Sequence, residues 1–390
     1  MMKEGINVSF LKKNMMVIAL VIVVIFFSIS TGGKILYAQN INNLISQNGY
    51  VFVLAAGMLL CILTGGNIDL AVGSVVCFTG AIGGVMMSRG YSAGISVAVM
   101  LLVGLAIGMF QGYWIAWISV PPFIATLAGM YAFRGLSNVV LNGYAVGINN
   151  ETFLRIFGGG ADCYIPDYLG SGSFNLTCMV VGMICTALFV LMTLLGWVKR
   201  NKRGIDQGNA SLMWARTLII AALILWISFE LASYKGIPTV LLWIALVLLV
   251  YGYITSYTAI GRYFYAVGGN EKATRLSGIN TKLVYFIAYA NMGFLAGLAG
   301  ILTVARASSS QPTYGQGYEM DAIAACFIGG ASAYGGVGKI TGVIIGATLM
   351  GIINQGMSIM GISANYQRAV KGIVLLAAVL VDVMFKKEKA

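Results

Sequence analysis

Long apolar stretches follow one another almost without interruption from residue 15 to residue 384. Each helical crossing of a bilayer needs about 20 consecutive, mostly apolar residues. Twelve runs read as crossings: 15–30, 50–64, 70–87, 95–118, 123–141, 176–198, 217–233, 239–257, 283–305, 321–334, 340–360 and 367–384. The second, third and tenth are short or interrupted by glycine. Only 9% of the residues are charged, against about 25% in a soluble domain, so the chain cannot clothe itself in a water-facing surface. The expected fold class is all-α: a polytopic membrane protein of about 12 transmembrane helices, residues 1–390 forming one domain. Residues 15–30 resemble a signal peptide in outline, but no small-residue cleavage site follows, so they are expected to stay as the first helix.

The net charge is +12, and in a membrane protein Lys and Arg set orientation by collecting in cytoplasmic loops. With the N-terminus inside and strict alternation, sixteen of the 24 Lys and Arg fall on inside segments, seven outside, and Arg134 within a crossing. Both termini and the basic loop 199–216 are therefore expected in the cytoplasm. The charge is a topology signal and a match for membrane lipid, and no nucleic-acid partner is expected. The chain has no histidine, which removes His-ligated zinc and Ser-His-Asp triads. No metal site and no catalytic residue are expected. None of the six cysteines forms a C-x-x-C pair, and spacing leaves a Cys163–Cys178 disulfide open.

The chain repeats itself. Gln111-Gly112-Tyr113-Trp114-Ile115-Ala116-Trp117-Ile118-Ser119 aligns with Gln355-Gly356-Met357-Ser358-Ile359-Met360-Gly361-Ile362-Ser363, identical at Gln, Gly, both Ile and Ser. Upstream, Asn67-Ile68-Asp69-Leu70-Ala71-Val72-Gly73 answers Glu319-Met320-Asp321-Ala322-Ile323-Ala324-Ala325. Alternation places the first match at the inside face and the second outside. The repeats, about 15–141 and 239–385, are thus expected to be inverted, with 176–233 as an extra helix pair. Inverted repeats with glycine-broken helices in corresponding places mark transporters.

One inside loop, 258–282, is neither short nor merely basic. Gly268 and Gly269 are expected to break the preceding segment, Asn270 to cap a short helix over 271–277, and Gly278 to end it. Glu271 then sits at the positive end of that helix. A two-turn amphipathic helix between crossings builds no core of its own, so it reads as a handle for another protein.

These residues resemble a known family. The run from Gly261-Arg262-Tyr263 through Ala266-Val267-Gly268-Gly269-Asn270-Glu271 and Ala273-Thr274-Arg275-Leu276-Ser277-Gly278-Ile279 is similar to the coupling region of bacterial monosaccharide ABC importer permeases of the ribose, xylose and galactose type. Gly293-Phe294-Leu295-Ala296-Gly297-Leu298-Ala299-Gly300, Gly66-Asn67-Ile68-Asp69-Leu70-Ala71-Val72-Gly73-Ser74 and Pro122-Phe123-Ile124-Ala125-Thr126-Leu127 extend the match to nearly the whole chain. The resemblance implies a ten-helix type II importer core, with the extra pair as in the longer xylose-like form. It implies a homodimer in the bacterial cytoplasmic (inner) membrane importing a monosaccharide. It further implies an ABC ATPase gripping Gly268, Gly269, Asn270, Glu271, Thr274, Arg275 and Gly278, and an extracytoplasmic sugar-binding protein. No G-x-x-x-x-G-K-[ST] loop is present, so ATP and Mg belong on the partner ATPase, and this chain is expected to bind no cofactor and to be no enzyme. The alternative is an ion-coupled secondary transporter of a small polar solute, with Asp69 as its buried carboxylate.

Charges at membrane depth are rare and usually functional. Asp69 and Asp321 hold matching places in the repeats and read as helix caps or as parts of a gate. Arg134 is expected to be structural, paired with backbone carbonyls or a carboxylate, Asp69 being the expected partner. A neutral sugar needs amides and hydroxyls, which Asn67, Gln111, Thr126, Asn291, Asn354 and Gln355 offer along a pathway. The charge distribution makes a direct prediction. In a background without native cysteines, Lys202→Cys and Ala390→Cys should resist a membrane-impermeant thiol reagent in intact cells, and rapid labelling of either reverses the orientation.

Overall fold

The computed structural model describes residues 2–160, 162–170, 172–203 and 210–387. Both chain ends, Met1 and Ala390, and part of the basic loop 199–216 lie outside the described residues. Helices run in the order α1 (Met2–Ser30), α2 (Ala38–Leu63), α3 (Val72–Ser88), α4 (Ala93–Ala116), α5 (Pro122–Leu141), α6 (Glu151–Phe157), α7 (Leu176–Asn201) and α8 (Ala210–Tyr234). They continue with α9 (Thr239–Tyr257), α10 (Ala259–Gly269), α11 (Glu271–Leu276), α12 (Thr281–Ala307), α13 (Tyr318–Ile328), α14 (Ile340–Ile359) and α15 (Ala364–Lys387). One two-residue pairing, β1 (Val146–Gly147) with β2 (Ser309–Ser310), is antiparallel.

Eight of these helices, α2, α4, α5, α7, α8, α9, α12 and α14, are long and apolar enough to cross a membrane. The apolar parts of α1 and α3 are shorter. α15 has the length, with 24 residues, but its first two turns carry Asn365, Gln367, Arg368 and Lys371. The tenth expected crossing is the real departure, because α13 has only 11 residues.

The deepest helices are α2 and α12. α2 packs against α13 and α14, and α12 against α3 and α4, so each central helix is clasped by the broken helix and the following helix of the other half. Closest approach comes where α4 meets α12. A Cβ on Gly104 would lie 2.5 Å from the Gly293 carbonyl oxygen, and one on Gly293 would lie 2.3 Å from that of Gly104. Gly104 and Gly108 face Gly293 and Gly297 at four-residue spacing, the small-residue pattern that lets membrane helices touch through their backbones.

The chain reaches α13 through non-helical backbone, the short strand β2 followed by a run of turns. Tyr50 is the thirteenth of the 26 residues of α2. Its hydroxyl donates to Asp321 at 2.6 Å, and its ring stacks on Tyr318 with centroids 3.5 Å apart. α13 therefore begins halfway along α2, and its length, about 16 Å, covers about half of a ~30 Å hydrocarbon core. Residues 308–317 make the other half, running back along α3. Gly84 would meet Ser310, and the Cys77 thiol donates to the carbonyls of Gln311 and Pro312. Gly73, in the first turn of α3, faces Gly315 so closely that a Cβ on either would sit 2.1 or 2.0 Å from the other's carbonyl oxygen. Gly315 also has φ +74°, which L side chains rarely adopt. The N-terminal ends of α3 and α13 thus meet inside the bundle. Non-helical backbone survives at that depth only when enclosed by protein, and here it is.

The extra pair α7–α8 forms a hairpin against the flank of α2. The segment leading into α7 is tied by Asp167, which accepts from the Thr177 hydroxyl at 2.7 Å and from the backbone N–H groups of Thr177, Leu176 and Leu169. The Thr177 hydroxyl first, and the N–H groups with it, hold the Asp167 carboxyl down to about 2. All six cysteines are free thiols, so Cys163 and Cys178 are not bridged.

The glycine contact predicts a contrast. Gly108→Ala and Gly293→Ala should each cost about 1–3 kcal/mol by overpacking. Gly135→Ala on α5, where an added Cβ meets nothing within 4 Å, should leave stability unchanged or raised by about 0.5–1 kcal/mol. Thermal melts of the three variants in one detergent check the order.

Candidate functional site

At one end of the bundle, three chain segments lock together through backbone. The N–H of Gly336 donates to the carbonyl of Leu63, the last residue of α2, at 3.0 Å. A Cβ on Gly268 would lie 1.8 Å from that same oxygen and 2.4 Å from the Gly336 nitrogen. A Cβ on Gly66 would lie 2.0 Å from the Ala333 oxygen. The turn after α2, the loop after α13 and the end of α10 therefore share one backbone knot. Tyr265 reinforces it by donating to the Gly338 carbonyl at 2.8 Å, and Asp382 accepts from the Ala333 N–H at 3.1 Å.

The short helix of the loop grows directly out of this knot. The Asn270 side chain accepts from the Ala273 N–H at 3.0 Å and caps α11, as its sequence context predicts. Gly278 takes φ +84° and ends the turn that follows. Gly268 and Gly269 do not break the preceding segment; α10 runs through both, and the break falls at Asn270. Gly268 is needed for contact rather than for flexibility, while Gly269 has open space beside it. Glu271 faces α12 rather than solvent alone: its carboxylate accepts from Thr281 at 3.3 Å and from Tyr285 at 3.1 Å. Thr274 is buried and donates to the carbonyls of Ala266 and Asn270, each at 2.8 Å. That leaves Lys272, Arg275 and Leu276 on the free face, with Leu276 88% exposed. An apolar tip flanked by cations is the residue the sequence reading passed over; its position opposite Thr274 on a short helix was the available signal. A cavity of about 570 Å³ separates α11 from the α4–α5 turn, with Asn67, Glu271, Arg275 and Tyr285 in its wall.

The two acids expected at the starts of the broken helices are there. Asp69 accepts from the Ala71 N–H at 2.8 Å and is 2% exposed. Asp321 lies in the first turn of α13, fully buried, bonded to Tyr50 and paired with Lys371 of α15 at 2.8 Å. The expected Arg134–Asp69 pair does not form. Arg134 instead donates to the carbonyls of Tyr314 at 2.6 Å and Pro312 at 3.3 Å. The backbone-carbonyl alternative holds instead, because the turns at 312–317 place carbonyls beside α5. The Lys371–Asp321 pair was missed, since Lys371 read as an outer helix end.

The amides do not converge on one cavity. Asn67 bonds the Thr64 carbonyl at 3.0 Å, and the Thr126 hydroxyl bonds its own helix at Pro122 at 2.8 Å. Asn291 accepts from the Tyr251 hydroxyl. Asn354 donates to Asn48 at 3.1 Å and Gln355 to Asn40 at 3.5 Å, both along α2. Gln111 lies apart, in an apolar groove between α4 and α5. Four of these side chains keep one unpartnered polar atom: Gln111 Nε2, Asn291 Nδ2, Asn354 Oδ1 and Gln355 Oε1.

Two enclosed helices, α3 and the half-length α13, whose N-terminal ends meet inside the bundle, together with a capped handle tied to the adjoining turns, form the architecture of a membrane transport subunit. Residues 40–379 match the family described as branched-chain amino acid transport system / permease component. The chain belongs to that family and is a multi-pass permease component of a transport system. It is 34% identical to the xylose transport system permease protein XylH of Escherichia coli K12, over 98% of this chain and 95% of that one. The XylH protein of Haemophilus influenzae is 35% identical, over 96% of both chains. The ribose import permease protein RbsC of Escherichia coli K12 is 37% identical, over 88% of this chain and 85% of its own. No solved structure matches.

The buried pair makes its own prediction. Lys371→Met strands the Asp321 carboxylate and should cost about 3–5 kcal/mol, whereas Lys371→Met with Asp321→Asn should recover most of the loss. A double-mutant cycle of melting in detergent measures it, and additive losses would mean that the pair is not coupled.

Proposed function

We propose that this chain is the membrane-spanning permease of an ATP-driven importer that carries a monosaccharide, a pentose or hexose such as xylose, ribose or galactose, into the cell. Two copies form the pathway, an ABC ATPase binding ATP and Mg docks on α10–α11, and an extracytoplasmic sugar-binding protein delivers the solute at the opposite end. The membrane is the bacterial cytoplasmic membrane, with both termini inside. The substrate class rests on the xylose and ribose permeases to which the chain is similar over most of its length. The neutral amides around α2, α12 and α14 agree with an uncharged solute, and their scatter agrees with a pathway of weak contacts. The reciprocal packing of α2 and α12 on the other half's broken helices supports the inverted repeat.

The observation that carries the mechanism is the backbone knot. Gly268 leaves no slack between α10 and the Leu63–Gly336 contact, and Glu271 ties α11 to Thr281 and Tyr285 at the start of α12. A displacement imposed on α11 therefore passes to α12 and to the ends of both re-entrant hairpins without a flexible joint. Gly269, Asn270 and Gly278 shape the handle, Thr274 fastens its inner face, and Arg275 and Leu276 present its outer one. Asp69 accepts from the Ala71 N–H just before α3, and Asp321 is bonded to Tyr50 and paired with Lys371, so each buried carboxylate already has a structural partner, which favours the ATP-driven reading over an ion-coupled carrier. Leu276→Asp combined with Arg275→Glu should abolish sugar uptake and copurification of the ATPase, with the permease still in the membrane. Normal uptake by that variant would remove the docking assignment.

A further inference from the structure

The α4–α5 connection is only five residues, 117–121, yet the two helices do not close on each other. α5 leans on α3 and touches α4 lightly. The gap is a cavity of about 290 Å³, to which α4 gives Phe110, Gln111 and Trp114 and α5 gives Ile124, Ala128 and Gly129. Apart from the Trp114 indole, Gln111 is the one polar side chain in the lining. It is 3% exposed, and its Nε2 has no hydrogen-bond partner. That nitrogen lies 2.2 Å from where a Cβ on Gly129 would stand, so the amide reaches across the cavity toward α5. Phe110 and Ile124, each 57% exposed, frame an opening toward the surroundings of the bundle.

We propose that this cavity holds one acyl chain of a membrane phospholipid, with the ester carbonyl accepting a hydrogen bond from Gln111 Nε2. Buried donors are nearly always paired, and a lone donor among apolar walls suits a ligand with a long apolar body and one acceptor. A monosaccharide does not fit. It brings several hydroxyls to one amide, and each left unpaired costs roughly 5- to 150-fold in affinity. A helix of a second copy does not fit either, because its diameter with side chains is about 10 Å and its backbone groups are already paired. The donor stands near a helix end, where an ester can reach it. Gln111 lies five residues before Ala116, the end of α4, roughly 7 Å inside it. Val120, beyond that end, lines both this cavity and the polar cavity beside Arg275. The assignment does not depend on which solute the permease carries.

Native mass spectrometry of the full-length permease, purified in mild detergent and supplied with dioleoylphosphatidylglycerol, tests the site. One tightly held phospholipid per chain is expected. Ala128→Phe, which fills the cavity, should remove it. Gln111→Leu, which keeps the shape and loses the donor, should weaken it about tenfold. If Ala128→Phe does not fold, a second measurement decides. With the other five of the six tryptophans replaced by Phe, quenching of Trp114 by phosphatidylcholine brominated in the acyl chain should saturate, and Gln111→Leu should move its midpoint about tenfold. No retained lipid in the wild type, lipid retained by folded Ala128→Phe, or an unmoved quenching midpoint each overturns the proposal. So does loss of xylose or ribose binding, or of the dimer, in Ala128→Phe with its lipid still in place.

Discussion

Gly73 and Gly315 touch backbone to backbone because neither has a side chain, and most of the architecture depends on that contact. It allows two chain segments, one arriving from each end of the bundle, to reach its middle and start helices there. The positive ends of α3 and α13 would otherwise repel each other across a region without water. The chain supplies acids at both: Asp69 before α3, and Glu319 and Asp321 in the first turn of α13. Cations then arrive from the flanking helices. Lys371 on α15 meets Asp321, and Arg134 on α5 satisfies the carbonyls that the turns at 312–317 leave open.

A second set of glycines at one end turns this interior into something that can be driven. Gly66, Gly268 and Gly336 bring three segments into direct backbone contact. A side-chain contact can slip between rotamers, whereas close-packed backbone moves as one body. The proposed docking helix thus sits at the end of a short, stiff linkage rather than on a loose loop.

Much of this was legible in the chain. Apolar run length located α4, α5, α7, α8, α9, α12 and α14, because bilayer thickness imposes a length that composition must meet. Asn270 and Gly278 marked the ends of a short helix by local rules alone. The tenth crossing, 321–334, is helical only as far as Ile328, because apolar composition says that a segment is buried, not how far its helix runs. Of the two partners expected for Arg134, backbone carbonyls and the Asp69 carboxylate, the carbonyls are the ones it meets, because the turns at 312–317 bring them beside α5. Gly104, Gly108, Gly293 and Gly297 repeat at helical spacing in plain sight, but pairing α4 with α12 across the chain requires the tertiary structure.

The peripheral hairpin has a consequence for where the molecule can rest. α7 runs for 26 residues, about 39 Å at helical rise, and ends in Lys199 and Arg200. The hydrocarbon slab it crosses is about 30 Å thick. A helix longer than its slab tilts or draws the lipid thicker around it. The helices that meet at the centre, α3 with 17 residues and α13 with 11, have no such reach of their own, being bounded by one another. The hairpin therefore acts as a gauge on the flank of α2, matching the subunit to lipid of a given thickness and fixing the level at which the inner ends of both re-entrant segments stand relative to the water.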